Sequence, residues 1–276
     1  MDPKYVFLDV DGTLVNFKGE LPVSAERAIK EAQNNGHKMI LATGRQRSQI
    51  YPWLLERIPF DGIIASSGAY IEQKGNVVFA GRPTPEKLEF VINYFRRTRT
   101  PYCLQTSHAL IVEQWCADQI AQYLRDIGNS RALIRSLFAH MMVDDKPEER
   151  KDIEKLAYYN SPFDMDTVKD ALGDYFYVAG YSLGGGENTT HHGEITFEGV
   201  NKAVGIQKFM DYVNVPVSES IAIGDSGNDL EMLEFAGISV AMGNASSEAK
   251  AAAHLITTGI NEDGIRNAFW KLRLIS

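Results

Sequence analysis

The run Tyr5-Val-Phe-Leu-Asp-Val-Asp-Gly-Thr-Leu-Val15 puts two carboxylates, Asp9 and Asp11, at the end of an apolar strand and just before a glycine turn. Alternate residues of a strand share a face, so the spacing predicts that the two side chains approach one point. Carboxylates brought together repel, and burying them calls for a cation or a proton between them. Their oxygens are hard ligands of the kind that suit Mg²⁺. Aspartate is common in turns, so a bare Asp-x-Asp says little. An apolar strand running into Asp-x-Asp-Gly-Thr is more than a surface turn requires.

Three further segments carry matching chemistry. In Leu41-Ala-Thr-Gly-Arg45, Thr43 offers a hydroxyl and a backbone N–H to a phosphate oxygen, Gly44 permits close approach, and Arg45 presents a guanidinium fork. Lys202, in Gly199-Val-Asn-Lys-Ala203, opens a helix, where the ammonium and the N-terminal dipole both favour an anion. In Ile223-Gly-Asp-Ser-Gly-Asn-Asp-Leu230, Asp225 offers a third metal-facing carboxylate. Asn228 and Asp229 there can supply oxygen ligands, hold water or orient Lys202. Carboxylates for a divalent cation and donors for phosphate are what phosphoryl transfer needs, because its catalysis is mainly positioning and charge neutralisation.

The elements that must hold these residues alternate between strand and helix. Tyr5–Val10, Lys38–Ala42 and Gly62–Ala65 read as strands. Between them lie a helix capped by Ser24 and ended by Gly36, and a second over Gln46–Ile58 that Pro52 kinks or starts late. Such alternation implies parallel βαβ units, followed by a hairpin of Ala69–Ile71 and Val77–Ala80. The character changes near Gly81-Arg-Pro-Thr-Pro85. Beyond it come a helix over Pro85–Arg97, paired strands Tyr102–Thr106 and Ala109–Glu113, and helices over Ala117–Ile127 and Pro147–Tyr158 flanking a strand Met141–Val143. A short helix Asp166–Leu172 and a strand Tyr175–Tyr181 complete this part, and a return strand Glu194–Phe197 follows it. From Asn201 the βα alternation resumes and closes on a helix over Glu262–Leu272. The expected fold is α/β: a Rossmann-like parallel sheet flanked by helices, formed by residues 1–81 and 193–276, with an α+β domain inserted at 82–192. In parallel sheets the chemistry gathers beyond the carboxyl ends of the strands, which is where all the motif segments lie.

Composition narrows the partners. Hydrophobic residues make up 44% and charged residues 23%, the balance of a globular protein. A net charge of −8 argues against an extended nucleic-acid footprint. No apolar run reaches bilayer length and no basic-then-apolar leader opens the chain, so no membrane contact and a cytoplasmic location are expected. Cys103 and Cys116 form no Cys-x-x-Cys pair, which points to reduced thiols rather than a disulfide or zinc framework.

The ordered set Asp-Val-Asp-Gly-Thr, Thr-Gly-Arg, Lys202 and Gly-Asp-Ser-Gly-Asn-Asp resembles the haloacid dehalogenase-like (HAD) superfamily of phosphohydrolases, and the large insert resembles the Cof-type, subfamily IIB pattern with a C2B cap. The resemblance spans nearly the whole chain. It implies a Mg²⁺-dependent phosphatase of small phosphorylated metabolites, sugar phosphates first, working as a monomer or homodimer. Asp9 would be the nucleophile that forms an aspartyl phosphate, and Asp11 the acid and then the base. Mg²⁺ would be held by Asp9, the Asp11 carbonyl and Asp225, with Asp229 supporting the site. Thr43, Gly44, Arg45, Lys202 and Asn228 would bind phosphate or substrate. A phosphomutase and a catalytically silent phosphate-ligand-binding protein are the alternatives on the same fold. One departure concerns substrate contacts: Ser67 stands where the subfamily often has asparagine in Asn-Gly-Ala. In the insert, His191 and His192 are candidates to meet the leaving group, with Glu187, Asn188 and Trp115 behind them.

Overall fold

The computed structural model describes residues 3–129, 131–138, 141–180 and 190–276. They form two compact units, one of residues 1–45, 49–80 and 201–276, the other of residues 46–48 and 81–200.

The first unit begins with β1 (Tyr5–Leu8), α1 (Val23–Asn34), β2 (Lys38–Ala42), α2 (Pro52–Arg57), β3 (Gly62–Ala65), β4 (Tyr70–Gln73) and β5 (Asn76–Ala80). Helix α1 buries Ala25, Ala28, Ile29 and Ala32, one stripe at helical spacing. Its N-cap is Pro22 rather than Ser24, and no side chain caps it. The expected helix over Gln46–Ile58 is a 3₁₀ turn (Arg47–Gln49) followed by α2. Pro52 sits in the first turn of α2, where its missing N–H and fixed φ do no harm, so it sets the start.

The chain then enters the second unit through α3 (Pro85–Thr98), β6 (Tyr102–Gln105), β7 (Leu110–Val112), α4 (Gln114–Asp126), α5 (Arg131–Phe138), β8 (Met141–Val143), β9 (Lys155–Tyr158), α6 (Met165–Leu172), β10 (Phe176–Gly180) and β11 (Gly193–Phe197). Its six strands run in the order β10-β11-β9-β6-β7-β8, antiparallel except for β7 with β8. Leu104, Leu156 and Ile195 share one face and cluster with Val91 of α3, Ile120 of α4 and Val168 of α6. Gln105, Lys155, Glu194 and Thr196 alternate with them and share the opposite face, where Lys155 Nζ meets Glu194 Oε2 at 2.6 Å. Residues 147–158 differ from the expected helix: a 3₁₀ turn (Pro147–Glu149) precedes β9, all of whose residues are buried between β6 and β11. Helix α5 was not expected. Strand β11, expected to return to the first sheet, pairs with β9 and β10, so the units divide after Val200 rather than after His192.

The chain returns to the first unit with α7 (Lys202–Tyr212), β12 (Ser220–Gly224), α8 (Leu230–Phe235), β13 (Ile238–Ala241), α9 (Ser247–Ala252), β14 (Leu255–Ile256) and α10 (Gly264–Lys271). The completed sheet has eight strands in the order β14-β13-β12-β1-β2-β3-β4-β5. All are parallel from β14 to β3, and β4 and β5 add an antiparallel hairpin at the edge. This is the α/β fold that the alternation implied. β1 is central, and Val6, Phe7 and Leu8 are fully buried, with Phe7 set edge-on to Phe209 of α7. Among the described residues no helix is long and apolar enough to cross a membrane.

Candidate active site

Strands β12, β1 and β2 are neighbours and parallel, so their carboxyl ends lie side by side. Asp225 follows β12, Asp9 follows β1, and Thr43-Gly44-Arg45 follows β2. Three distant stretches of sequence thereby reach one sheet edge. Lys202 joins them as the first residue of α7. The N-cap of α7 is Asn201, whose Oδ1 accepts from the Val204 N–H at 2.8 Å. Gly68 packs so closely on Asn201 that a Cβ there would lie 2.2 Å from its carbonyl oxygen. That contact fixes the helix start, and with it the lysine.

Lys202 is 1% exposed, and its ammonium lies 2.7 Å from Asp9 Oδ1, 2.5 Å from Asp229 Oδ1 and 3.3 Å from Asn228 Oδ1. Asp229 also accepts the backbone N–H groups of Asp225 and Ser226 on Oδ2, at 2.9 and 3.0 Å. It therefore supports both the lysine and the loop that carries Asp225. The Asp225 Oδ1 accepts from the Thr13 hydroxyl at 2.8 Å, and a Cβ on Gly12 (φ +88°) would stand 2.2 Å from its Oδ2. Position 12 thus needs glycine both for its backbone and to let the carboxylate in.

Charge in this cluster is unbalanced. Carboxylate oxygens of Asp9, Asp225 and Asp229 lie within 4.8 Å of one another, against one ammonium. Burial, then the charge of Asp229, raises Asp9 well above the usual carboxylate range, with Lys202 opposing. The same two causes push Asp225 up to about 7. Burial works against the Lys202 ammonium, but Asp229 and Asp9 outweigh it and hold the lysine charged. The donor set is oxygen only and short of positive charge, so a divalent cation fits it. Both Asp229 oxygens are already engaged, which leaves Asp9 and Asp225 as the side chains to hold a metal ion.

Asp11 does not join this cluster, although the strand spacing predicted that it would approach Asp9. Strand β1 ends at Leu8, and the bonds Gly12 N–H to Val15 O and Val15 N–H to Val10 O turn the chain, so the two-residue alternation no longer applies. The Asp11 side chain is 49% exposed and takes the Arg45 fork, Nε to Oδ2 at 2.6 Å and Nη2 to Oδ1 at 2.8 Å. Thr43 is 1% exposed. Its backbone N–H, expected to face phosphate, donates to Ile64 O at 2.9 Å instead. Its Oγ1 accepts the Arg45 N–H at 3.1 Å, which leaves the hydroxyl proton to donate. Gly44 lies in the connecting loop. Asn228 Oδ1 also accepts from the Ser226 hydroxyl at 2.9 Å.

The loop after β3 closes the group. Ser66, Ser67 and Gly68 have φ of +51°, +53° and +101°, a left-handed run that non-glycine residues rarely adopt. Ser66 N–H donates to Arg45 O and Ser67 N–H to Thr43 O, at 2.7 and 3.0 Å, so the strained loop grips the Thr43–Arg45 segment.

In the second unit, His191 Nδ1 lies 2.9 Å from Ser161 O, and His192 Nδ1 lies 3.3 Å from the Tyr123 hydroxyl. Trp115 Nε1 donates to Glu113 Oε2 at 2.9 Å and its ring packs edge-on against Tyr102. These three are tied into their own unit; Glu187 and Asn188 lie outside the described residues. Sequence reasoning gave no role to Thr13, Ser226 or Tyr51. Thr13 stood inside the first motif and Tyr51 directly before Pro52, but neither type at those places signals a contact with an aspartate or arginine far along the chain.

The profile of the haloacid dehalogenase-like hydrolases matches residues 6–269. The chain is 28% identical over 267 residues, covering 95% of each chain, to the 5-amino-6-(5-phospho-D-ribitylamino)uracil phosphatase YitU of Bacillus subtilis. Its fold is similar to the solved HAD subclass IIB sugar phosphatase BT4131, with a TM-score of 0.80, 25% identity and 99% and 100% of the two chains covered. It is also similar to the phosphatase BT1666 from Bacteroides thetaiotaomicron, with a TM-score of 0.81, 28% identity and 99% and 96% covered.

Proposed function

The chain belongs to the haloacid dehalogenase-like hydrolase family and is a phosphatase; on that premise we propose that it hydrolyses small phosphorylated metabolites, sugar phosphates foremost, through an aspartyl phosphate on Asp9. The observation that carries the reading is the Lys202 ammonium seated between Asp9 and Asp229, beside Asp225. A phosphatase must bring an anionic nucleophile up to an anionic phosphate, and Lys202, together with the cation that the carboxylate excess calls for, would offset that charge.

Lys202 engages Asp9 Oδ1, so the other carboxylate oxygen attacks phosphorus while the bond to the leaving oxygen breaks. Asp11 gives its proton to that oxygen, releasing the alcohol. The Asp11 carboxylate then takes a proton from water, whose oxygen displaces Asp9 from phosphorus and frees inorganic phosphate. The Thr43 hydroxyl and Lys202 hold phosphoryl oxygens, Asn228 keeps Lys202 aimed, and Gly44 leaves room for the phosphate. Mg²⁺, held by Asp9, Asp225 and the Asp11 carbonyl, would supply further charge neutralisation at the phosphate. The inserted segment, expected at residues 82–192, acts in this reading as a cap that selects the leaving group.

The test is phosphate release from para-nitrophenyl phosphate with Mg²⁺, with excess EDTA, and in Asp9→Asn. Release that needs Mg²⁺ and disappears in the variant is expected. Full activity in EDTA would remove the metal from the reading, and near-normal activity in the variant would remove the aspartyl phosphate.

A further inference from the structure

Asp9 and Asp11 are one residue apart and meet opposite surroundings: Asp9 is 4% exposed and belongs to the buried cluster, whereas the Asp11 side chain is 49% exposed. An exposed carboxylate this close to a cation-seeking cluster can turn inward to it or stay outside. Arg45 decides which, but an exposed ion pair of long side chains is by itself weak and mobile. The guanidinium is instead held on several sides. Besides its two bonds to Asp11, Nη1 donates to Gln49 O at 3.1 Å and Nη2 to the Tyr51 hydroxyl at 2.6 Å. Its carbon lies 4.1 Å from the Tyr51 ring centroid, over the ring face. The Tyr51 hydroxyl in turn donates to Asp11 Oδ1 at 3.4 Å.

Tyr51 is itself fixed. It precedes Pro52, which keeps its backbone out of the helical region (φ −54°, ψ 118°). Its ring stacks on Trp53, with centroids 5.4 Å apart and planes at 29°. A rigid aromatic therefore supports the arginine that forks both oxygens of Asp11.

We infer that Tyr51 is a positioning residue for the acid–base step, acting through Arg45 to keep the Asp11 carboxylate outside the buried cluster and available to the leaving oxygen. The inference rests on the assignment of Asp11 proposed above. Without the Tyr51 hydroxyl, Arg45 loses its hold from below and Asp11 spends less time in the productive place, while Asp9, Lys202 and Asp225 are untouched.

The experiment compares kcat/KM for phenyl phosphate and para-nitrophenyl phosphate, two substrates of nearly equal shape. Phenolate is the more basic leaving group and needs a proton more, and kcat/KM covers the steps up to its departure. Tyr51→Phe keeps the ring stack and is expected to lower the phenyl phosphate value about tenfold and the para-nitrophenyl phosphate value about twofold or less, with the larger part of the loss in kcat. Tyr51→Ala, which also removes the stack, should widen the gap between the substrates. Thermal melting of both variants checks that they fold. Equal losses on the two substrates, or none, would overturn the inference, since a merely structural role does not distinguish leaving groups. Asp11→Asn separates this failure from that of its premise: if Asp11→Asn shows no selective loss, the acid assignment is wrong; if it does and Tyr51→Phe does not, only the role of Tyr51 falls.

Discussion

Each unit buries a lysine against a carboxylate, and the two sites differ in where the chain places them. Lys155 lies within β9 and meets Glu194 of the adjacent strand β11, a cross-strand pair on one face of an antiparallel sheet. Lys202 opens a helix and meets Asp9 and Asp229, brought from beyond the ends of two parallel strands, with Asp225 alongside. Burial of a lysine therefore does not mark a reactive site. What sets the second site apart is an excess of buried carboxylates over ammonium at a parallel sheet edge, and such a cluster gains from taking up a cation or a proton.

The contrast can be broken most severely at Asp9. Asp9→Asn keeps the size of the side chain and removes the proposed nucleophile, and turnover of para-nitrophenyl phosphate is expected to fall by about 10³-fold or more. A fall of less than tenfold would deny the cluster its special status.

Next come the two lysines. Lys202→Met strands Asp9 and Asp229, and Lys155→Met strands Glu194, so denaturant unfolding should register losses of about 3–5 kcal/mol for the first and less for the second, whose partner is partly exposed. Only Lys202→Met should lower para-nitrophenyl phosphate turnover about 10²-fold. Equal loss of activity in both would merge the two sites.

A smaller effect separates the clusters by pH. In the metal-free protein Asp225 stands at about 7, against an ordinary 3.8. Between those values the folded protein keeps a proton that the unfolded chain releases, so this group's contribution to stability falls as pH rises from about 4 to about 7. Above that range the ionised cluster is free to take a cation. Millimolar Mg²⁺ should raise Tm by about 5 °C near pH 8 and by less near pH 5.5. A shift that is the same at both pH values would sever metal binding from the carboxylate excess.

The smallest change concerns Ser67. Glycine there relieves a left-handed φ, and Ser67→Gly should stabilise the protein by up to about 1 kcal/mol in denaturant titrations, with the Thr43 segment held less firmly and KM raised. Loss of stability would mean that φ is not strained at this position.

The parallel sheet was legible because its strands are continuous apolar runs with helical stripes between them, and three of the four motifs follow such a run. Residues 147–158 were not legible. Their charged stretch suits a helix, and only pairing with β6 and β11, invisible in local sequence, makes Lys155–Tyr158 a strand. Strand β11 was placed on the wrong sheet for the same reason. At the site, Asp9, Lys202, Asp225 and Asp229 come together as their types suggested. Asp11 turns away because the strand stops at Leu8, and Tyr51 could not be foreseen because its partners are set by a turn and a stack rather than by spacing.

The central place of β1 also bears on how the chain comes to fold. β1 pairs with β2 on one side and with β12 on the other, Tyr5 against Lys38 and Tyr5 against Ser220. During synthesis at ~5–20 residues per second, the second edge of β1 waits on the order of 10–40 s for its neighbour. Over that interval Val6, Phe7 and Leu8, all destined for full burial, present an apolar edge strand to whatever is nearby. The nascent protein is thus most exposed to aggregation while the second edge of β1 is still unpaired.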